Sequence, residues 1–149
     1  MPTLDEEELI ILKEFQENGR VSYAEISRKT GIPNSTIYDK TQRLISEGVI
    51  KKFTVIFDEE KVGINITAII GVETGAKLYL EVSKELCLLD NVIEVYGTTG
   101  EFDLMIKVKV ADRGGLSKVL TKIRSIDGID DIFVSSILEV FKDEHVLPI

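Results

Sequence analysis

The chain holds one cysteine, one histidine, three prolines and no tryptophan in 149 residues. A single cysteine excludes an intrachain disulfide and gives no sign of an oxidising compartment. With one histidine beside it, the nitrogen and sulfur ligands of most zinc sites are missing, and no metal or other cofactor is expected. Long apolar runs are missing as well. The longest uncharged stretch, Val62 to Val72, falls far short of the roughly 20 residues a membrane-spanning helix needs. The amino-terminal MPTLDEEELII is acidic where a secretory leader would be basic, so a cytoplasmic protein with no membrane partner is expected. There is no glycine-rich phosphate loop after a strand and no credible nucleophile–base pair, which argues against an enzyme. Cys87, among Leu86, Leu88 and Leu89, reads as a core filler, and His145 as a tail residue.

What the chain does have is a globular hydrophobic fraction of 44% and an uneven charge. The net formal charge is −8, yet residues 20–52 carry seven cations against three carboxylates. The cations are Arg20, Arg28, Lys29, Lys40, Arg43, Lys51 and Lys52. Phosphate senses the local face, because exposed charges more than about 10 Å apart are largely screened near 0.1 M salt. An acidic chain with one basic segment therefore still admits a nucleic-acid partner. Lysine and arginine are also ordinary on a solvated surface, so the charge alone does not decide.

The pattern changes period near residue 60. From residue 4 to 47 it is helical. Leu9, Ile10, Leu12 and Phe15 mark one stripe of a first helix, which is expected to end at Asn18-Gly19 with Gly19 left-handed. Ser22 and Glu25 have the spacing of a capping box opening a second helix, Ile26 points inward, and Gly31 ends it. Ile37, Thr41, Leu44 and Ile45 then give a third helix its apolar side, with Gly48 as its stop. Two short helices around a Thr30-Gly31-Ile32-Pro33 turn read as a helix-turn-helix, whose second helix fits the DNA major groove. Residues 49–57 are rich in β-branched side chains and predict a strand, and DEEKVG follows as a charged connector.

Beyond the connector the order is strand, helix, strand, strand, helix, strand. Ile64, Ile66, Ala68, Ile70 and Val72 alternate with polar residues, and Tyr79, Val82, Leu86 and Leu89 line a helix over 77–89. Strands over 92–98 and 102–110 flank a Thr99-Gly100-Glu101 turn, with Leu104, Ile106, Val108 and Val110 on the buried side. Leu116, Val119, Leu120 and Ile123 mark another helix, and 129–141 predicts a long last strand. This is the βαββαβ order of a ferredoxin-like sheet, with both helices on one face and the other face free to meet a partner. The fold class is thus α+β, with a winged-type helix-turn-helix head, a strand linker and a ferredoxin-like domain. The expected divisions are 1–52, 53–63 and 64–149.

Four stretches in this order, LDEEELIILKEFQENGR, AEISRKTGIPNSTIYDKTQRLISEGVIKKF, DEEKVG and VYGTTGEFDLMIKV, make the whole chain resemble the Lrp/AsnC (feast/famine) family of transcription regulators. The resemblance implies a head that binds double-stranded operator DNA and a tail that pairs chains into homodimers. Such dimers would assemble into tetramers or octamers, with a small effector, usually an amino acid, between them. Paired recognition helices would enter successive major grooves about 34 Å apart. The DNA-facing candidates are Asn34, Ser35, Thr36, Tyr38, Lys40 and Arg43. The first three sit where side chains and backbone N–H groups reach bases and phosphate. Pro33 stands where a capping serine is usual. Asp39 stands where a basic or neutral residue is common, and either accepts from cytosine N4 or pairs with Arg43 at i+4, the pair being favoured. For the effector the resemblance implies Gly100, Glu101, Phe102 and Asp103 on one side and Ser135 and Ser136 on the other. Gly100 permits a positive φ, and Asp103 offers a carboxylate to an ammonium group. The same turn would equally need Gly100 as a plain hairpin. One other reading remains open, a sensor or protein-interaction module of this build without specific DNA binding. An enzyme like the sirohaem decarboxylases, which share a related two-domain build, would need histidines in the sheet region, and the chain has only His145 near its carboxyl end.

Overall fold

A computed structural model describes residues 4–75, 77–144 and 146–149. The chain divides into two compact units, Met1–Ile56 with Asp143–Ile149, and Phe57–Lys142. The carboxyl-terminal residues join the first unit through Gln16, whose amide donates to the Leu147 carbonyl and accepts from the Leu147 N–H. The units part at 56/57 and 142/143. His145 lies outside the described residues.

The head is built on three helices, α1 (Glu6–Glu17), α2 (Tyr23–Thr30) and α3 (Asn34–Ser46). Both α1 and α2 open with complete capping boxes, Asp5 with Glu8 and Ser22 with Glu25. Each box satisfies two of the N–H groups that a helix start leaves without partners. Gly31 ends α2 at φ +78 and Gly48 follows α3 at φ +72, conformations that glycine takes without the Cβ clash. Gly19 does not share them: α1 ends with Asn18 extended, and Asn18 accepts from the Arg20 N–H instead. The buried line of α1 is also rotated from the expected one, because Glu8 and Ile11 are its fully buried residues. A glutamate opening that line hides it from a purely apolar reading. The small core joins Ile11, Val21, Ile26, Ile32 and Ile37.

Residues 49–57 form no strand. A β-rich sequence needs a partner edge, and none of the described strands pairs with this segment. Phe53 instead sets its ring edge-on against Phe15 at 5.2 Å. Within DEEKVG, Glu60–Val62 forms a 3₁₀ turn that Gly63 closes.

The second unit runs β1 (Ile66–Thr74), α4 (Tyr79–Cys87), β2 (Val92–Gly97), β3 (Leu104–Val110), α5 (Arg113–Arg124) and β4 (Ile129–Ser136). The antiparallel sheet has the order β2-β3-β1-β4, as a βαββαβ chain requires. Ala68, Ile70 and Val72 on β1 and Leu104, Ile106, Val108 and Val110 on β3 pack against Val82 and Leu86 of α4 and Val119 and Ile123 of α5. The alternate residues face away from the helices. The last strand is shorter than expected: pairing with β1 ends at Ala68 opposite Ser136, with one more bond from the Ile137 N–H to the Thr67 carbonyl. Past that point β1 offers nothing to pair with, and Leu138, Val140 and Phe141 lie exposed. Cys87, expected in the core, is exposed, because α4 buries Val82 and Leu86. No helix of the described residues is long and apolar enough to cross a membrane.

Candidate nucleic-acid interface and effector turn

The third helix buries Ile37, Thr41 and Leu44 along one side. Asn34, Ser35, Tyr38, Asp39 and Gln42 are exposed on the rest of its surface, and Thr36 is half-buried. At 100° per residue, Ser35, Asp39 and Gln42 lie opposite the buried side. Tyr38, half exposed, stands edge-on to Tyr23 of α2 at 6.0 Å. The helix begins at Pro33 with no side-chain cap. In a head where the other two helices are fully capped, the first-turn N–H groups of α3 stay open, which suits phosphate and adds to the positive end of the helix dipole.

The two basic candidates are placed differently from Asn34, Ser35 and Thr36. Lys40 binds the carboxylates of Asp5 and Glu7 on α1, the latter at 3.3 Å. Arg43 reaches the fully buried Glu8 at 3.0 Å and Glu47 at 3.3 Å. The hydrogen bond from Lys40 holds the Asp5 carboxyl below its ordinary range, and the same bond raises Lys40. Lys29 is likewise tied to Glu14 at 2.8 Å, and that bond raises its pKa. The expected Asp39–Arg43 pair does not form, since Arg43 is drawn to the buried carboxylate. Of the seven cations of the basic segment, Arg20, Arg28, Lys51 and Lys52 make no ion pair among the described residues. Gln42, which charge-based reasoning passes over, is exposed on the same face as Asp39; the only signal for it is its helical spacing from Ile37 and Leu44.

In the second unit, the turn after β2 is laced to β1. The Asp103 N–H donates to the Val72 carbonyl at 3.1 Å, and the Thr98 N–H donates to the Asp103 carbonyl at 3.0 Å. One oxygen of the Asp103 carboxylate accepts from the Thr74 N–H at 2.8 Å and from its hydroxyl at 3.4 Å. The residue is nonetheless exposed, as are Gly100, at φ +156, and Glu101. The Phe102 ring lies over Gly71, where an added Cβ would meet it at 2.6 Å, and meets the Phe133 ring at 5.1 Å in a tilted pair. Ser135 and Ser136 do not share a face. Directly opposed residues of antiparallel strands point the same way. Ser136, opposite Ala68, therefore belongs to the helix-covered side, while Ser135, opposite Ile69, belongs with Phe102 and Phe133 on the open side.

Residues 4–51 match a family model described as winged helix-turn-helix DNA-binding, and residues 67–147 match one described as the Lrp/AsnC ligand binding domain. A transcriptional regulator FL11 of the helix-turn-helix type from Pyrococcus furiosus is 36% identical over 146 residues, covering 98% of this chain and 97% of its own. AsnC of E. coli superposes with a TM-score of 0.90 at 27% identity, over 97% of this chain and 98% of that one. A transcriptional regulator from Neisseria meningitidis, solved as a complex with L-Met, gives a TM-score of 0.91 at 27% identity, over 98% and 97% of the two chains. The ordered helical head, the four-stranded sheet and both family matches lead to one conclusion: the chain belongs to the Lrp/AsnC family of DNA-binding transcription regulators.

Proposed function

We propose that the chain is a sequence-specific cytoplasmic regulator whose α3 enters the major groove by its uncapped first turn. The observation that carries this is the open N-terminus of α3 beside the capped starts of α1 and α2. Asn34, Ser35 and Thr36 would meet phosphate and base edges there, with Tyr38 against the sugar–phosphate backbone. Phosphate neutralisation falls to Arg20, Arg28, Lys51 and Lys52. Lys40 and Arg43 hold α3 to α1 and set its position.

The same reading gives the second unit an amino-acid effector at the turn of Gly100, Glu101, Phe102 and Asp103, with Ser135 on the adjoining face. Its chemical support is the exposed Asp103 carboxylate, which keeps one oxygen free for an ammonium group, and its support by likeness is the L-Met complex of the Neisseria relative. Homodimers assembling into tetramers or octamers would place two heads on one duplex. An effector would act by binding one assembly state better than the other.

The test is binding to a duplex of the gene's own upstream region across a salt series. Four phosphate contacts from each of two heads predict a log–log salt slope of roughly −7. Specific binding with such a slope is the expected result; affinity no better than for random duplex at low salt would overturn the reading.

A further inference from the structure

The exposed ridge of α3, Ser35, Asp39 and Gln42, carries no cation. The two nearest basic residues in the helix, Lys40 and Arg43, are held by Asp5, Glu7, Glu8 and Glu47. Asp39 is left with no ion pair and no side-chain hydrogen bond among the described residues. A free carboxylate at the crest of a helix that approaches a polyanion works against nonspecific binding, so its place there calls for a compensating contact.

An ionised carboxylate only accepts hydrogen bonds. The major groove offers donors at two places, the N6 amine of adenine and the N4 amine of cytosine. The adenine amine stands beside N7, an acceptor that repels the second carboxylate oxygen. The cytosine amine stands beside a C–H edge that does not. From this we infer that Asp39 is a specificity-determining residue that selects cytosine in the bound DNA sequence. Gln42, three residues on along the ridge, has the amide that suits a neighbouring adenine. This inference rests on the proposal that α3 reads the major groove.

The experiment selects duplexes from a random-sequence pool with the full chain, with Asp39→Asn and with Asp39→Ala. Asp39 is exposed, and far-UV circular dichroism checks that the variants keep their helices. The parent chain is expected to enrich one cytosine per half-site. Asp39→Asn gains a donor beside its acceptor and is expected to move that position to adenine. Asp39→Ala is expected to lose the preference there, so that replacing the cytosine by thymine costs the parent on the order of ten-fold in affinity and this variant almost nothing. The same enriched sequence in all three proteins would overturn the assignment of Asp39 while leaving the groove reading intact. No enriched sequence from any of them would overturn both.

Discussion

In the second unit twelve buried apolar side chains, from Ala68 to Ile126, meet in one cluster; the cluster of the head holds five. The head makes up the difference with charges and caps. Its first helix sends Asp5, Glu7, Glu8 and Glu14 to Lys40, Arg43 and Lys29, and two capping boxes close its helix starts. In the sheet unit the ion pairs Lys61–Asp58, Lys107–Glu94 and Lys109–Glu59 lie outside the apolar core. A unit too small to be held by apolar burial alone uses its polar side chains structurally, and fewer of them remain for a ligand. In the head, three of seven basic residues are used this way, which on the proposed reading leaves recognition to the capless helix start, an unpaired acid and an amide.

The largest effect that would sharpen this contrast comes from truncating one core residue in each unit. Ile106 and Ile37 are both fully buried, and replacing either by alanine removes about three buried methyl or methylene groups and leaves a cavity. Each is expected to cost about 3 kcal/mol. With the head resting on its smaller cluster, Ile37→Ala should abolish its helical transition in urea at ambient temperature, whereas Ile106→Ala should lower the midpoint of the sheet and leave it folded. Equal retention of folded signal by both variants would contradict the claim that the head has less apolar stabilisation to lose.

Next in size is Arg43→Ala. It leaves the buried Glu8 carboxylate facing α3 without its partner. A fully buried orphaned charge costs about 3–5 kcal/mol, but Arg43 is itself nearly half exposed and water can reach its place, so about 2 kcal/mol is expected. The head should melt at lower temperature, and DNA affinity should fall in proportion to the folded fraction. The double variant Glu8→Gln, Arg43→Ala should regain part of the loss, because a neutral amide needs no cation. A variant with unchanged melting and lost DNA binding would return Arg43 to the phosphate-contacting set.

The partners of Arg43 show where the sequence is legible. Elements follow from local rules: the Ser22–Glu25 box, the left-handed Gly31 and Gly48, and the alternation over Ala68, Ile70 and Val72 all appear where period and residue type place them. Family membership and the α+β architecture were legible for the same reason. What the order of residues does not contain is which partner a charged side chain finds. Arg43 has Asp39 one turn before it and Glu47 one turn after it, yet it pairs with Glu47 and with Glu8, 35 residues away, and not with Asp39. Asp103 looks free in a turn and yet accepts from Thr74 on another strand. The missed strand over 49–57 and the overlong one over 129–141 have a similar origin, since β propensity says nothing about whether a neighbouring edge exists.

Acid offers the gentlest way to separate the two units. In the head, the bond from Lys40 lowers the Asp5 carboxyl from its ordinary 3.8, and the Ser22 N–H lowers the Glu25 carboxyl from 4.5. A carboxyl lowered by folding adds stability that is complete above its unfolded value and disappears as pH falls through the folded one. Both groups close helix starts, so their protonation removes caps as well as charge. The raised Lys29 and Lys40 have the opposite sign: their contribution is complete below 10.5 and is lost as pH climbs through their raised values. Helical signal from the head is therefore expected to hold from about pH 5 to 10 and to decline below about pH 4. In the sheet unit the carboxyl held low is Asp58, bound to Lys61 in the turn ahead of β1 and away from the apolar cluster. Its protonation should leave the sheet standing. Circular dichroism followed downward from pH 7 should lose helix before strand, and each signal in a Ser22→Ala variant should show which cap gives way. Simultaneous loss of both signals would mean that the carboxylate caps and pairs of the head do not set its stability.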